Sequence, residues 1–428
     1  MSTLITNIIM RRLSQSSKCK FLIVLTLVSF LFAQSQTNNA ALTIKWIGNP
    51  NAISSLDGLI HTAPTLALNI ADYNHAYLDQ FTKGNIKLLN NRDSIIADSI
   101  INQIALKFFS DLAYGNHPPN LQSTGYRFKL NTYNINELII KYSKSNSLLK
   151  LVQYLNTNSF EVSKLLATLK VYQDSSKKNN ARIKQLVRAI NDYRWLRAVS
   201  ETQRVVLVNI PSAQLRVYER EKTLLAMKLV LGKARTPSKT FSTLIQKITI
   251  NPYWVVPSSI AINEMLPKLK RDNGYIDRNH LQVLNSNYKV INAGNINWDS
   301  YDASNFPFTI RQSTGCDNSL GIIKLEFDSP FGVYLHDTPE KSLFSYNSRF
   351  YSHGCMRMEK PIEMAKLLMQ KNSLALDTID LEACAKRPDP ITITVPEQIP
   401  LIVWYNLIDF DDTGAVKFYK DVYHQFTY

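Results

Sequence analysis

The stretch Tyr351–Arg357, with the sequence YSHGCMR, carries the chemistry around which the rest of the chain can be interpreted. A second histidine, His336, lies 19 residues before Cys355. Cysteine is a nucleophile only as the thiolate, and a nearby imidazole can accept the thiol proton. Gly354 allows a sharp backbone turn in which amide N–H groups can converge on a developing oxyanion. The pattern therefore indicates a cysteine acyl-transfer site.

A cysteine with two histidines is also compatible with metal binding or with burial in a core. A zinc site needs a third and usually a fourth ligand at usable spacing. The nearest carboxylates, Asp337 and Glu359, do not provide that spacing. We therefore expect no metal and no cofactor at Cys355.

Three other histidines lie in the first third of the chain, and two of them have aspartates nearby. No histidine or cysteine stands at ligand spacing from them in the sequence, which favours a structural role. These residues are His61, His75 and His117, with Asp57, Asp72 and Asp79.

Length and composition describe a globular protein of two or three domains. The chain has 428 residues, of which 45% are hydrophobic and 19% charged. A net charge of +15 suits polyanionic partners such as nucleic acid, anionic lipid or carboxylate-rich cell-wall polymer, although solubility alone explains it equally well. We find no nucleic-acid-binding motif and expect no such partner.

The N-terminus has the anatomy of an export signal. Basic residues end at Lys20, and a mostly apolar run of 13 residues follows over 21–33. A membrane span needs ~20 apolar residues, so residues 1–33 are predicted to be a signal peptide or an uncleaved N-terminal anchor.

Removal of that leader leaves three cysteines, an odd number for an exported protein. They are Cys316, Cys355 and Cys384. We favour three free thiols, and a Cys316–Cys384 disulfide that leaves Cys355 free is the alternative.

Hydrophobic periodicity predicts an α+β protein. Residues 41–165 are expected to form a helical scaffold domain, 166–200 a connecting helical region and 201–428 a mostly β catalytic domain. A polar stretch over about 258–308 interrupts the strand signals and is interpreted as a cap over a cleft.

Two helices are well marked in the sequence. Residues 93–114 repeat apolar side chains at helical spacing, with Asp93 or Ser94 as the N-cap and Gly115 as the C-cap. Residues 181–198 are amphipathic, and their basic side chains are interpreted as a solvated face. Strand Phe331–Leu335 is predicted to deliver His336 at its end, and Pro361 to open a helix that extends to Met369.

The motif resembles the YkuD-type L,D-transpeptidases, whose signature is a histidine, some 14 to 17 residues and then Ser/Thr-His-Gly-Cys. Here 15 residues separate His336 from Ser352-His353-Gly354-Cys355. The flanking segments NPYW (251–254), RQ (311–312), NSLG (318–321) and YLHDTP (334–339) resemble the large subfamily with an N-terminal scaffold domain and a capping insertion, the YcbB type. The resemblance implies a β-sandwich catalytic domain with an inserted cap.

The resemblance also implies roles for individual residues. Cys355 would be the nucleophile and His336 the general base, while His353 and Gly354 would support the oxyanion. The implied substrate-binding residues are Ser352, Arg357, Arg311, Tyr334, Asn318 and Trp254.

The implied activity is transfer of a peptidoglycan stem peptide. Cys355 would attack a tetrapeptide stem, release D-Ala and pass the acyl group to an amine of a neighbouring stem, which forms a 3→3 crosslink. Water, a protein lysine or a D-amino acid as acceptor, or a non-catalytic wall-binding scaffold, are the alternatives.

The expected setting is the periplasm, where the protein is cell-wall associated, with an inner-membrane tether if the leader stays, and we expect a monomer. The peptidoglycan-binding module common in this subfamily has no counterpart in the short connection between Leu169 and Ala181.

Overall fold

Helices make up the first part of the structure and strands most of the rest. The computed structural model describes residues 44–123, 126–130, 133–157, 159–176, 179–220, 222–272, 274–370 and 383–426. The predicted leader, 1–33, lies outside these ranges. Within them, no helix is both long enough and apolar enough to cross a membrane.

In the described part of the chain, seven α-helices precede the strand at Val205–Asn209, and short 3-10 helices lie at Ala63–Leu66 and Ile70–Tyr73. The α-helices are α1 (Pro50–His61), α2 (His75–Thr82), α3 (Asn91–Tyr114), α4 (Ile135–Lys144), α5 (Leu148–Thr157), α6 (Phe160–Asp174) and α7 (Asn180–Ser200).

Helix α3 begins slightly earlier than its sequence predicts. Asn90, not Asp93 or Ser94, is the N-cap, and its side chain accepts a hydrogen bond from the Asp93 amide at 3.0 Å. Gly115 ends the helix as predicted, with a φ of 77° that favours glycine.

Helix α7 corrects the predicted solvated basic face, because two of its arginines are buried. Arg194 and Arg197 are 0% and 4% exposed. Arg197 donates to the carbonyl oxygens of Leu155 (2.5 Å) and Ala113 (3.1 Å), which lie in the last turns of α5 and α3. Arg194 donates to the Leu66 carbonyl at 2.9 Å, where a 3-10 helix ends. Carbonyls in the last turn lack partners within their own helix, so these guanidinium groups complete three helix ends.

The strands, in chain order, form a large sheet, a four-stranded sheet and a final hairpin. They are β1 (Gln122–Ser123), β2 (Val205–Asn209), β3 (Gln214–Glu219), β4 (Lys222–Gly232), β5 (Phe241–Ile250), β6 (Trp254–Val255), β7 (Leu281–Leu284), β8 (Val290–Ile291), β9 (Thr309–Gln312), β10 (Ile323–Phe327), β11 (Leu335–His336), β12 (Phe350–Ser352), β13 (Met356–Met358), β14 (Ile391–Trp404), β15 (Ile408–Phe410) and β16 (Val416–Phe418).

Eight strands of the large sheet pair in a closed circuit, in the order β5-β10-β11-β13-β4-β3-β2-β14 and back to β5. The predicted mostly β architecture is therefore one sheet whose pairing closes on itself around an apolar core. Helix α8 (Pro361–Met369) adds Met364 and Leu368 to that core. The α+β class, with helices before a mostly β part, is confirmed.

Strand β2 explains how the helices and the sheet share one interior. Val206 and Val208 belong to the core enclosed by the sheet, whereas Val205 and Leu207 pack with α7 and Trp404. Alternate side chains of a strand point to opposite faces, so both faces of β2 are buried. Burial of both faces accounts for the four consecutive apolar residues of this strand, Val205–Val208.

A buried carboxylate, Asp409, joins α7 to the sheet. Its oxygens accept hydrogen bonds from Tyr193 of α7 at 3.0 Å, Asn209 of β2 at 2.9 Å and Arg216 of β3 at 2.5 Å. Burial alone would lower the pKa of Arg216, but the Asp409 carboxylate outweighs that effect and raises it.

The segment from β6 to β9 forms a small structure of its own, which we call the cap. It contains a four-stranded sheet in the order β6-β9-β7-β8 and a core that includes Leu269, Val283 and Trp298. The predicted polar helix-and-loop insertion thus also carries strands. Short helices lie at Ser258–Ile260, Ala261–Met265 (a π-helix), Leu266–Leu269, Tyr275–Arg278, Ala293–Asn295 and Trp298–Ser300, and, outside the cap, at Lys341–Ser345 and Ala383–Lys386.

The preferred expectation of three free thiols is wrong. Cys316 and Cys384 form a disulfide, with Cα atoms 5.0 Å apart, and Cys355 is free. Arg387 reinforces the link with an ion pair to Asp317 at 2.8 Å. The bond therefore ties the segment after β9 to the segment that leads into β14.

The carbonyl groups capped by α7 provide a test of the fold. Substitution of Arg197→Met removes the donors for Leu155 and Ala113 and leaves two buried carbonyls unpaired. Each such group costs about 1–3 kcal/mol, so we expect the free energy of unfolding to fall by about 2–6 kcal/mol in urea titrations. Lys184→Met, at an exposed position of the same helix, is the control and should change it by under about 0.5 kcal/mol. Equal stability of the two variants would show that the buried guanidinium is dispensable.

Candidate active site

The turn that carries Cys355 lies between β12 and β13 and is held by Ser352. The Ser352 hydroxyl accepts from the Gly354 amide at 3.1 Å and donates to the Cys355 carbonyl at 2.5 Å. Ser238 donates to the Gly354 carbonyl at 2.9 Å. Ser352 is buried and serves the turn itself, and the Gly354 amide predicted to face an oxyanion is directed to Ser352 instead.

Gly354 is required for its backbone conformation. Its φ is 116°, which side chains with a Cβ rarely adopt, although a Cβ there would make only ordinary contacts, the nearest at 3.8 Å. The sharp turn inferred from the motif is therefore present.

Strand pairing brings Tyr334 to the thiol. Strands β11 and β13 run parallel with His336 opposite Arg357, and the Met356 amide donates to the Tyr334 carbonyl at 3.1 Å. The Tyr334 hydroxyl and backbone form hydrogen bonds with Cys355. Because the Tyr334 carbonyl is taken by Met356, its amide N–H is the backbone donor.

The Cys355 thiol is half-buried and carries its proton in the resting site. Burial raises the pKa of the Cys355 thiol, while the Tyr334 donors and the charges of Lys324 and Arg357 act to lower it. The environment thus combines an apolar enclosure, which opposes ionisation, with donors aimed at the thiolate.

His336 is buried and neutral. Its Nδ1 lies 2.5 Å from the Asp337 carbonyl, which can only accept, so Nδ1 carries the hydrogen and Nε2 has a free lone pair. Burial, aided by Arg357 and Lys324, lowers the pKa of His336 to about 3. Its ring packs edge-on against Tyr334, with centroids 5.6 Å apart.

Lys324 is a site residue that the motif did not reveal. The antiparallel pairing of β10 with β11 places it opposite His336, and its ammonium lies 4.8 Å from the centre of the Tyr334 ring. The alternation of side chains along β10 predicts which face of the sheet carries Lys324. It does not predict that β10 pairs with β11, and only that pairing places Lys324 opposite His336.

His353 points to the cap. Its Nε2 lies 2.7 Å from a carboxylate oxygen of Glu264, and both side chains are partly exposed. Glu264 is 89 residues away in the sequence, which is why sequence analysis missed it. The pair connects the Cys355 turn to the cap, and it occupies the imidazole that was predicted to support the oxyanion.

Trp254, another predicted substrate-binding residue, contacts the tyrosine that is hydrogen-bonded to the thiol. It belongs to β6 of the cap, and its indole N–H donates to the Tyr334 hydroxyl. A chain of contacts therefore runs from the cap through Tyr334 to Cys355.

The two predicted substrate-binding arginines are both engaged in other contacts. Arg311 lies in the cap sheet, where it donates to Gln282 at 2.9 Å and lies over the Tyr253 ring at 4.1 Å. Arg357 forms an ion pair with the exposed Glu340. A substrate carboxylate would therefore meet guanidinium groups that already hold a protein partner.

Asn318 is completely buried, which argues against the predicted substrate contact. Its side-chain amide donates to the carbonyls of Pro252 at 3.1 Å and Ser313 at 2.8 Å. Its carbonyl accepts from the Leu320 amide at 2.7 Å. Asn318 therefore fixes the loop that follows the cap.

The site lies within a segment that matches a known protein family. Residues 203–383 match the family model described as YkuD, the L,D-transpeptidase catalytic domain. A candidate L,D-transpeptidase of Haemophilus influenzae is 30% identical over 228 residues, 53% of this chain and 45% of that protein. The chain thus spans about half the length of the curated relative it matches.

Two solved structures are weakly similar in overall shape. An L,D-transpeptidase from Mycobacterium smegmatis is 15% identical at a TM-score of 0.22, over 47% of this chain and 58% of that one. The catalytic domain of an Enterococcus faecium L,D-transpeptidase, acylated by ertapenem, is 11% identical at a TM-score of 0.23, over 47% of this chain and 97% of that one. The similarity therefore rests on the family model, which matches residues 203–383, and on the sequence match over 53% of the chain.

Proposed function

We propose that this protein is a peptidoglycan L,D-transpeptidase that uses Cys355 as its nucleophile. The observation that carries the proposal is a free, half-buried thiol that receives hydrogen bonds from Tyr334, within the matched catalytic domain. Neutral His336, in the tautomer that leaves Nε2 unprotonated, packs against the same tyrosine.

Activation begins from a neutral thiol and a neutral imidazole. His336 Nε2 accepts the Cys355 proton as the sulfur attacks, and the two Tyr334 donors stabilise the developing thiolate. The low pKa of His336 makes the imidazolium short-lived. It passes the proton on readily, which suits a group that must next protonate a leaving amine.

Acylation and transfer then follow as two balanced steps. The sulfur attacks the carbonyl between the third residue of a tetrapeptide stem and its terminal D-Ala, the C–N bond breaks, and D-Ala leaves with the proton from His336. The side-chain amine of a second stem attacks the thioester and returns a proton to His336, and the Cys355 thiol is restored as a 3→3 crosslink forms. The Cys355 amide N–H is the backbone donor in the turn best suited to the oxyanion, since the Gly354 amide serves Ser352.

The substrate is inferred to lie between the cap and the Cys355 turn. Trp254 reaches Tyr334 from the cap, and Glu264 reaches His353. Lys324 and Arg357 give this region positive charge, which complements the carboxylates of wall peptides.

The proposed location is the periplasm, which the protein would reach through the predicted N-terminal leader. The predicted helical scaffold domain would support the catalytic domain there.

The first test is covalent capture of the nucleophile. Incubation with a carbapenem should add one drug mass to the intact protein, and Cys355→Ala should show no adduct. The double variant Cys316→Ser/Cys384→Ser, which removes the other two cysteines of the catalytic region, should still be acylated. An equal adduct on Cys355→Ala would remove this thiol from the mechanism.

The second test concerns the thiolate donors. Because the pKa of the Cys355 thiol is raised, alkylation by iodoacetamide should accelerate as pH increases through the thiol pKa. Tyr334→Phe removes one donor to the thiolate, so the profile should shift to higher pH and the rate at pH 7 should fall about tenfold. Tyr346→Phe, at an exposed tyrosine, is the control. An unshifted profile for Tyr334→Phe would contradict the role of the hydroxyl.

The third test identifies the acceptor. Mass spectrometry of digested wall from expressing cells should show 3→3 dimers that disappear with Cys355→Ala. Tripeptide stems without dimers would indicate water as acceptor, a stem-linked protein would indicate a lysine, and stems with an exchanged terminal D-amino acid would indicate exchange.

A further inference from the structure

Two neighbouring helices in the N-terminal part each carry an aspartate and a histidine four residues apart. Helix α1 has Asp57 and His61, and helix α2 has His75 and Asp79. Residues four apart lie on one face of a helix. The two helices pack against each other, and ring contact between His61 and His75, with centroids 6.3 Å apart, shows that these faces meet.

Three of these side chains converge at ligand distances. His61 Nε2 is 3.4 Å from a carboxylate oxygen of Asp79, and His61 Nδ1 is 3.7 Å from Asp57 Oδ1. Ligand atoms from all three residues lie within 4.8 Å of one another. In a tetrahedral zinc site with bonds of about 2.0–2.1 Å, adjacent ligand atoms are about 3.3 Å apart, and the distance from His61 Nε2 to Asp79 is close to that spacing.

The contacts of His61 leave its Nε2 directed at Asp79. Its Nδ1 lies 2.9 Å from the Asp57 carbonyl, which only accepts, so Nδ1 carries the hydrogen. In the neutral ring, Nε2 then directs a lone pair at the Asp79 carboxylate. A proton on Nε2 or a metal ion between the two groups would each join them. Histidines that bind metals usually donate their other N–H to a carbonyl or carboxylate in just this way.

An unpaired atom of Asp57 is a second, independent indication. Oδ2 accepts from the Thr82 hydroxyl at 3.3 Å, but Oδ1 is buried and has no hydrogen-bond partner. Buried polar atoms are nearly always satisfied, and a metal ion would satisfy this one while neutralising the two carboxylates.

We propose that Asp57, His61 and Asp79 bind a divalent transition metal, with Zn²⁺ the best match to a nitrogen and oxygen ligand set. Three protein ligands leave one position for water, with His75 alongside. His61 is 48% exposed, so an ion can enter from solvent. The sequence did not reveal the site because its ligands come from two helices, neither of which has a metal-binding spacing by itself. The ion would fix α1 to α2, and this role does not depend on the proposed catalytic function.

The test is zinc binding by the full chain with its disulfide intact. All variants are made in a Cys355→Ala background, so that the catalytic thiol cannot bind the metal. After chelator treatment and dialysis, calorimetric titration should give one Zn²⁺ per chain, and elemental analysis should agree. His61→Gln and Asp79→Asn should each weaken binding at least about tenfold, since even loss of an outer-shell partner costs about 10–100-fold. His117→Gln, at an exposed histidine in the same region, is the matched control and should bind like the parent.

Cobalt provides a second readout that does not depend on variants. Co²⁺ added to the parent should give the intense visible absorption of a four-coordinate ion, and excess Zn²⁺ should remove it. The proposal is overturned if the parent takes up no Zn²⁺ and gives no such spectrum. It is equally overturned if His61→Gln and Asp79→Asn, shown to be folded by circular dichroism, bind Zn²⁺ as tightly as His117→Gln.

Discussion

The structure depends on charged groups that are buried on helix α7 and must find partners there. Arg197 supplies hydrogen-bond donors to the last turns of α3 and α5, and Arg194 does the same for the 3-10 helix that ends at Leu66. Burial, and then the neighbouring charge of Arg197, lowers the pKa of Arg194 to about 9, so these cations are held at a cost in free energy. Because each guanidinium reaches a different helix end, the helices cannot shift independently of α7. Asp409 extends this constraint into the sheet through Tyr193 and Asn209.

The candidate site inherits its geometry from that sheet. Cys355 and His336 reside beside two short parallel strands, and Tyr334 contacts both residues because of that register. The same pairing places Lys324 opposite His336. The positive charge of Lys324 disfavours protonation of His336 and favours the thiolate form of Cys355. Burial outweighs that charge at the thiol and also lowers the pKa of His336, so the site holds its proton on sulfur at rest.

The features that were predicted from the sequence are local ones. The Cys355 motif, the helix that starts at Pro361 and the end of α3 at Gly115 each depend on residues within a few positions of one another. What was missed depends on contacts between distant segments. Glu264 meets His353 across 89 residues, and the Cys316–Cys384 link joins segments on either side of the motif. The basic residues of α7 were assigned to solvent because amphipathic spacing reveals which side chains share a face but not what covers it. Only the tertiary packing shows that Arg194 and Arg197 have helix ends above them.

The arrangement of the three cysteines has a consequence for oxidative folding. A protein that needs one disulfide and one reduced nucleophile can be trapped by pairing the wrong sulfurs. A thiol attacks a disulfide as its thiolate, so a half-buried thiol with a raised pKa is a slow participant in exchange. The enclosure that holds the proton on Cys355 therefore also protects the Cys316–Cys384 bond from its own neighbour. In an oxidising compartment, this enclosure makes the order of events matter: once the turn around Cys355 has closed, Cys316 and Cys384 can pair without competition from Cys355.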